Sequence, residues 1–212
     1  MFKINNLIVI LTLLAITPAA WAQKDTALVT SLSGDAVYQG ARAASAPVQS
    51  FMKLREGDRT EVKANAKLQL VYLETGEVEQ WEGPASFTVG TQRTLVIASG
   101  TPVMRKLPAS MVERLARTPA VMSDIRNRSG VSVTRSIRPV SAKVVAAREA
   151  YAKARTELPP DDIAPELDLF LVLYEERYFA QANDVLRDMQ QRVPDDSGVR
   201  ELAERFRNAL KL

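Results

Sequence analysis

The chain has two parts that differ in the spacing of their apolar residues. From Ala27 to about Val103, apolar residues recur in short runs separated by turns rich in Gly, Asp, Ser and Pro. This spacing predicts short antiparallel strands in a sandwich or barrel. The run from Leu68 to Leu73 predicts a central strand buried on both faces. The more polar segment Glu77–Glu82 is expected to pair with it across a Glu-Thr-Gly turn, nearer the edge of the sheet.

After Pro108 the apolar residues recur at steps of three and four, the period of amphipathic helices. The segment Leu167–Tyr174 is apolar nearly all round except at Asp168, so a helix there must be covered on more than one side. Weaker, short helices are predicted within 108–126, and residues 128–140 are expected to form an exposed linker or a peripheral strand. The other predicted apolar stripes are Val144, Ala147, Tyr151, Ala154 and Leu158, then Phe179, Ala182, Val185, Leu186, Met189 and Val193, then Val199, Leu202, Ala203, Phe206 and Leu210.

These patterns predict an α+β protein, in which an N-terminal antiparallel β-sandwich or barrel-like domain is followed by a C-terminal α-helical region. The predicted boundaries are 27–105 for the all-β domain, 106–140 for a basic connector with short helices, and 141–212 for the helical region. Ser141 is expected to cap the first long helix.

The first 22 residues have the pattern of a cleavable secretory signal. A lysine near the start is followed by an apolar run from Leu7 to Ile16, and Ala20-Trp21-Ala22 offers small residues where a signal peptidase cleaves. The run is short for a membrane span, although an uncleaved anchor is the alternative. The mature protein is therefore expected to be a soluble periplasmic protein with no integral membrane span after cleavage.

The residue types exclude most catalytic chemistry. The chain has no Cys and no His, so it has no imidazole-based triad, no thiol nucleophile and neither of the commonest zinc ligands. We expect a protein that is not an enzyme and that has no cofactor and no metal. The pairs Asp161-Asp162 and Asp195-Asp196 each follow Pro and precede a helical stripe, so they are interpreted as helix caps rather than metal ligands.

One strand offers a carboxylate alternative. Glu77 and Glu79 share a face with Trp81, as a sugar-binding platform would require, and a carboxylate-dependent glycan hydrolase using Glu79 and Glu82 is a remote alternative. No second carboxylate is identified opposite them, as two-carboxylate hydrolysis requires. Solvated charges on an exposed strand are the preferred interpretation.

Charge is distributed in blocks, although the net charge is only +3. Residues 105–155 hold twelve basic and three acidic residues, whereas 156–212 hold seven basic and thirteen acidic residues. Either the two blocks face each other within one fold or with a second copy, or the basic block binds an anionic partner such as cell-wall polymer, lipopolysaccharide or an acidic protein surface. Export makes nucleic acid an unexpected partner. The candidate partner-binding residues are Trp81, Arg114, Arg117, Arg126, Arg128, Arg135, Arg138, Tyr174 and Arg177.

The β region resembles the periplasmic domain of the FecR family. The pattern that carries this resemblance is Gly34 with Val37, Leu54-Arg55-Glu56-Gly57-Asp58, the run from Ala66 to Leu73 closed by Gly76, and Val78 to Gly83-Pro84-Ala85. Gly57 and Gly76 are expected at turns that need a permissive backbone, and Asp58 is expected to accept from amides of its own turn. The resemblance implies a periplasmic protein-interaction role. A relay to a sigma factor is not implied, because a cleavable signal stands where such family members carry a membrane span.

Residues from about 162 to 210 resemble one degenerate tetratricopeptide repeat followed by a capping helix. Phe179, Ala182, Leu186 and Pro194 match positions of the second helix of the repeat, whereas Phe170 replaces a small residue of the first. The resemblance implies a scaffold for protein binding. One repeat cannot bury both of its faces, so neighbouring helices or a partner must cover it; an ordinary helical bundle without a peptide groove is the alternative.

The sequence thus predicts a non-enzymatic periplasmic adaptor or scaffold that mediates protein–protein interaction in the bacterial cell envelope. The alternative is a protein that binds envelope polysaccharide, peptidoglycan or lipopolysaccharide, through Trp81 and the arginine series. The sequence leaves open whether the chain forms a homodimer.

Overall fold

A computed structural model describes residues 24–40, 43–127 and 141–210. The predicted signal (1–22) and the predicted linker (128–140) lie outside the described residues, and so do three candidate binding residues, Arg128, Arg135 and Arg138. The described chain is α+β, as predicted: an N-terminal part with two antiparallel sheets is followed by helices.

Within the described residues each sheet has five strands, and the two sheets stack as a sandwich. Sheet A has the strand order β10-β7-β6-β1-β4 and sheet B has the order β3-β2-β5-β8-β9. The strands are β1 Asp25–Ser33, β2 Ala36–Gln39, β3 Ala46–Pro47, β4 Lys53–Arg55, β5 Arg59–Val62, β6 Lys67–Tyr72, β7 Glu77–Glu82, β8 Ala85–Thr88, β9 Val96–Ser99 and β10 Val103–Lys106. The predicted pairing of the central strand with Glu77–Glu82 is confirmed, with Leu68 opposite Trp81 and Val71 opposite Val78.

Alternate residues of β6 serve two different cores. Leu68, Leu70 and Tyr72 face sheet B in the interior of the sandwich, whereas Val71 packs among the helices. Because both faces of sheet A are covered, the protein has three layers: sheet B, sheet A and a helical layer. The prediction that this strand is buried on both faces is confirmed.

The helical layer comprises six helices in the described residues. They are α1 Ala109–Leu115, α2 Thr118–Asn127, α3 Ala142–Glu157, α4 Ala164–Glu175, α5 Phe179–Arg192 and α6 Ser197–Leu210. The predicted cap of α3 is confirmed, since Lys143 N donates to Ser141 Oγ at 3.3 Å. Every residue of α4 from Ala164 to Tyr174 is buried, so this helix is covered on all sides, as its sequence requires.

Two turns confirm the backbone roles expected from the sequence. Gly57 and Gly76 have φ angles of +86° and +73°, a region that only glycine enters without steric cost. Arg55 N donates to Asp58 Oδ2 at 2.8 Å, so this carboxylate closes the turn between β4 and β5.

Candidate functional site

Several cations of the basic block pair with the acidic helices. Arg114 of α1 forms a bidentate pair with the buried Asp168 of α4, at 2.5 and 2.8 Å. Burial raises the pKa of the Asp168 carboxyl, while its hydrogen bonds raise the pKa of the Arg114 guanidinium. Arg117 lies 3.0 Å from Glu175 and Lys143 lies 3.2 Å from Glu176. For these residues, the charge blocks face each other within one fold.

The other described candidates on the helices have different surroundings. Tyr174 is buried, and its hydroxyl donates to Asp124 Oδ2 of α2 at 2.6 Å, so the face of α4 that a peptide would contact in a repeat is covered by the chain itself. The prediction that Tyr174 is a surface contact residue is therefore wrong. Arg126 and Arg177 are exposed.

The prediction that Trp81 is a surface contact residue is also wrong. Its ring is fully buried and stacks on Phe87 of sheet B at a centroid distance of 4.1 Å. Its Nε1 donates to Glu79 Oε2 at 3.0 Å, and Glu79 Oε1 accepts from Thr94 N at 2.9 Å. Both oxygens of the buried Glu79 are thus occupied, and the face that Glu79 and Trp81 share points into the sandwich rather than toward a glycan.

The two Pro-Asp-Asp motifs cap helices, as predicted, and their second carboxylates also bind the sandwich. Asp162 Oδ1 accepts from Ala164 N of α4 and from Gln69 Nε2 of β6, both at 2.9 Å. The same buried side chain lies 3.4 Å from Arg105 of β10. The helical layer is therefore attached to sheet A by polar contacts as well as by apolar packing.

Asp196 makes the more extensive of these contacts. Its Oδ1 accepts from Gly198 N and Val199 N, at 2.9 and 3.1 Å, in the first turn of α6. Its Oδ2 accepts from Leu32 N of β1 at 2.9 Å, and Ser50 Oγ lies 2.8 Å from Oδ1. One buried carboxylate thus joins a helix terminus, a strand and the turn that precedes β4.

One edge of the sandwich exposes a cluster of apolar side chains. We define the β9–β10 edge as residues 95–106, and its apolar members are Leu95, Ile97, Val103 and Met104, which are 61, 51, 57 and 46 % exposed. Among the described strands, β9 pairs with β8 alone and β10 with β7 alone. Each strand therefore ends its sheet, and the chain crosses from one sheet to the other at this edge. Leu95 and Ile97 fall within the apolar runs of the β region, but neither packs in a core.

A second surface feature lies where the sandwich meets the helices. A cavity of about 350 Å³ is bounded by the turn 49–52, by α2 and by the first turns of α6. Its lining combines Phe51, Met122 and Leu202 with the charged side chains of Arg126, Glu201 and Arg205. We call this cavity the junction groove. Of the predicted partner-binding residues that the structure describes, only Arg126 lines it.

Comparison with protein-family models, curated proteins and solved structures finds no match for this chain. In the described ranges, no helix has the length and apolar character needed to cross a bilayer. Those ranges also contain no group of three acidic side chains placed to hold a metal ion.

Proposed function

We propose that the protein is a non-enzymatic adaptor of the bacterial envelope, exported to the periplasm, which binds a partner protein through its β9–β10 edge. The signal-like N-terminus supports export. The absence of Cys and His from the chain supports a role without catalysis. The periplasmic interaction role implied by the FecR-like pattern agrees with both.

The observation that carries the proposal is the exposed apolar edge. Of the five large apolar side chains that are exposed in the described residues, four lie on the β9–β10 edge. An exposed edge strand offers unpaired backbone N–H and C=O groups to another strand, and soluble proteins usually protect such edges. Clustered apolar side chains beside free backbone groups favour addition of an extended segment, whose alternate residues cover the apolar positions.

Charge indicates which strand would add. Lys106 at the end of β10 is exposed and has no ion pair among the described residues. Arg105 is already paired with Asp162, but two copies paired across β10 would bring two Lys106 side chains into one short ladder, where neighbouring like charges are destabilising. The preferred occupant is therefore an extended segment of a different protein that combines apolar and acidic residues.

Two observations weigh against binding of envelope polysaccharide. Its aromatic contact, Trp81, is buried in the sandwich, and Arg114 and Arg117 are paired with carboxylates of the same chain.

The experiment places a photo-crosslinking amino acid at Ile97 or Met104 of the mature protein in intact cells. Val145 of α3, which is 44 % exposed, is the matched apolar control on another surface. The protein captured at both edge positions but not at Val145 is identified by mass spectrometry, purified, and titrated against the purified chain by calorimetry.

We expect Ile97→Asp combined with Met104→Asp to weaken this complex at least tenfold. A tenfold loss of affinity corresponds to about 1.4 kcal/mol of binding free energy. Val145→Asp should change the affinity less than twofold, and thermal melting should show that all variants are folded. Equal capture at Val145, unchanged affinity of the double variant, or cross-links to a second copy alone would contradict the proposal.

A further inference from the structure

We propose that the junction groove is a second binding site, which takes a peptide segment with a large apolar side chain next to a carboxylate. The groove is formed by elements other than the β9–β10 edge, so each site can be tested without the other. Its volume of about 350 Å³ is in the range of small ligand sites and accommodates a few side chains rather than a folded domain.

The lining has the adaptable apolar character of a peptide site. Met52 and Met122 face the groove together with Ile125 and Leu202. Methionine side chains are flexible and polarizable, and they are used where one surface must fit varied apolar groups. The rim also offers polar side chains, Gln49 and Ser197, which can bond a peptide backbone and which an acyl chain would leave unused.

The charge of the groove selects an acidic ligand. Arg126 is exposed on α2 and has no acidic partner among the described residues. Arg205, the other cation of the lining, is already paired with Glu201 one turn away on α6, at 2.5 Å. Within the described part of the chain, the groove therefore carries one positive charge without an acidic partner beside an apolar surface, which fits an apolar side chain followed by a carboxylate.

The wall of the groove is held in an unfavourable backbone conformation. Phe51 has a φ of +70°, which is costly for a bulky residue. The turn is fixed by hydrogen bonds from Phe51 N to Val29 O at 2.7 Å and from Val29 N to Met52 O at 2.9 Å. The contact between Ser50 and Asp196 fixes it from the helical side. Backbone strain of this kind is found at ligand-binding sites, where the surrounding structure maintains it, so we infer that the groove is preformed.

The test is selection of phage-displayed random dodecapeptides on the purified mature chain, followed by titration of the enriched peptides by fluorescence anisotropy. We expect enriched peptides to pair Leu, Ile, Phe or Met with a neighbouring Asp or Glu. Arg126→Glu should weaken them at least tenfold, and Arg126→Lys should retain part of the affinity. Arg177→Glu is the matched control, because Arg177 is also exposed, has no ion pair with another described residue and lies outside the groove. It should change the affinity less than twofold.

Further measurements distinguish a peptide from a lipid or a second copy of the chain, and this site from the β9–β10 edge. Ile97→Asp combined with Met104→Asp should leave peptide binding intact, so failure of the edge proposal is distinguishable from failure of this one. The inference would be overturned if no acidic–apolar peptides are enriched, or if the enriched ones bind Arg126→Glu as well as the wild type. Displacement of the peptides by an equal concentration of oleate, or loss of a dimer in Arg126→Glu, would overturn it in favour of a lipid or a second copy.

Discussion

Replacement of Asp196 tests whether the contacts between the layers stabilise the fold. Asp196→Ala removes the cap of α6, which is worth about 1 kcal/mol. It also leaves the buried amide of Leu32 and the hydroxyl of Ser50 without their acceptor, at a cost of about 1–3 kcal/mol for each buried group that stays unpaired. Because the hydroxyl can rotate toward another acceptor, we expect the free energy of unfolding to fall by about 2–4 kcal/mol, the sum of the lost cap and one unpaired amide.

Urea denaturation followed by far-UV circular dichroism measures this loss directly. The expected fall corresponds to a decrease of roughly 10 °C in the melting temperature of a protein of this size. Asp195→Ala is the matched control: Asp195 precedes Asp196 in the same Pro-Asp-Asp motif but is exposed, so its removal should cost less than about 0.5 kcal/mol.

A double-mutant cycle with Ser50→Ala locates the effect. If the carboxylate acts through the turn that precedes β4, the two substitutions should show a coupling of about 0.5–3 kcal/mol. This account of how the layers are joined would be refuted if the free energy of unfolding of Asp196→Ala lay within about 1 kcal/mol of the wild type. An equally large loss in Asp195→Ala would refute it too.

Two further predictions concern ionisable groups. Arg114→Ala should lower the free energy of unfolding by about 2–3 kcal/mol, since it leaves the buried carboxylate of Asp168 without its partner. Arg117→Ala breaks an exposed pair and should cost less than about 1 kcal/mol. Equal losses in urea denaturation would contradict the role given to burial. Burial, with a contribution from Glu79, raises the pKa of the Tyr72 hydroxyl above its ordinary value, so the folded state keeps a proton that the unfolded state loses above about pH 10. The free energy of unfolding should therefore decrease as the pH rises beyond that point, by up to about 1.4 kcal/mol per pH unit from this group. Tyr72→Phe should reduce the slope of the free energy of unfolding against pH, measured between pH 9 and 11. An unchanged slope would contradict the role given to Tyr72.

The elements that were predicted best from the sequence are those in which residues close together in the chain already indicate burial or capping. The segment Leu167–Tyr174 is apolar on every side, so its position at the centre of the helical layer follows from its composition. The Pro-Asp-Asp motifs could be assigned as caps for a similar reason, because proline, carboxylate and helical stripe are adjacent in sequence.

The errors arise where the orientation of a surface depends on the whole sheet. Alternation shows that Glu79 and Trp81 share a face, but the presence of two glutamates on that face led to the prediction that it is exposed to solvent. Glu79 is buried because the indole of Trp81 and the amide of Thr94 donate to its two oxygens, and Thr94 is distant in sequence. Likewise, the apolar character of Ile97 does not reveal that β9 ends its sheet.

The junction groove had no sequence signal of its own. Phe51, Met122 and Leu202 come from three separate parts of the chain and meet only because the helices pack on the sandwich. The sequence could not decide whether the basic block pairs with the acidic helices or binds an anionic partner. In the fold, Arg114 and Arg117 pair with carboxylates of α4, while Arg126 has no acidic partner in the described part of the chain.

The most direct test of the proposed function is hydrogen–deuterium exchange on the complex reconstituted from the purified chain and the partner captured at the β9–β10 edge. Strand addition creates new backbone hydrogen bonds, so we expect slower exchange of amides within at least one of the two edge strands, 96–99 or 103–106, when the partner is bound. Unchanged exchange in both strands, with protection confined to exposed faces of the helices, would contradict an adaptor that binds its partner through this edge.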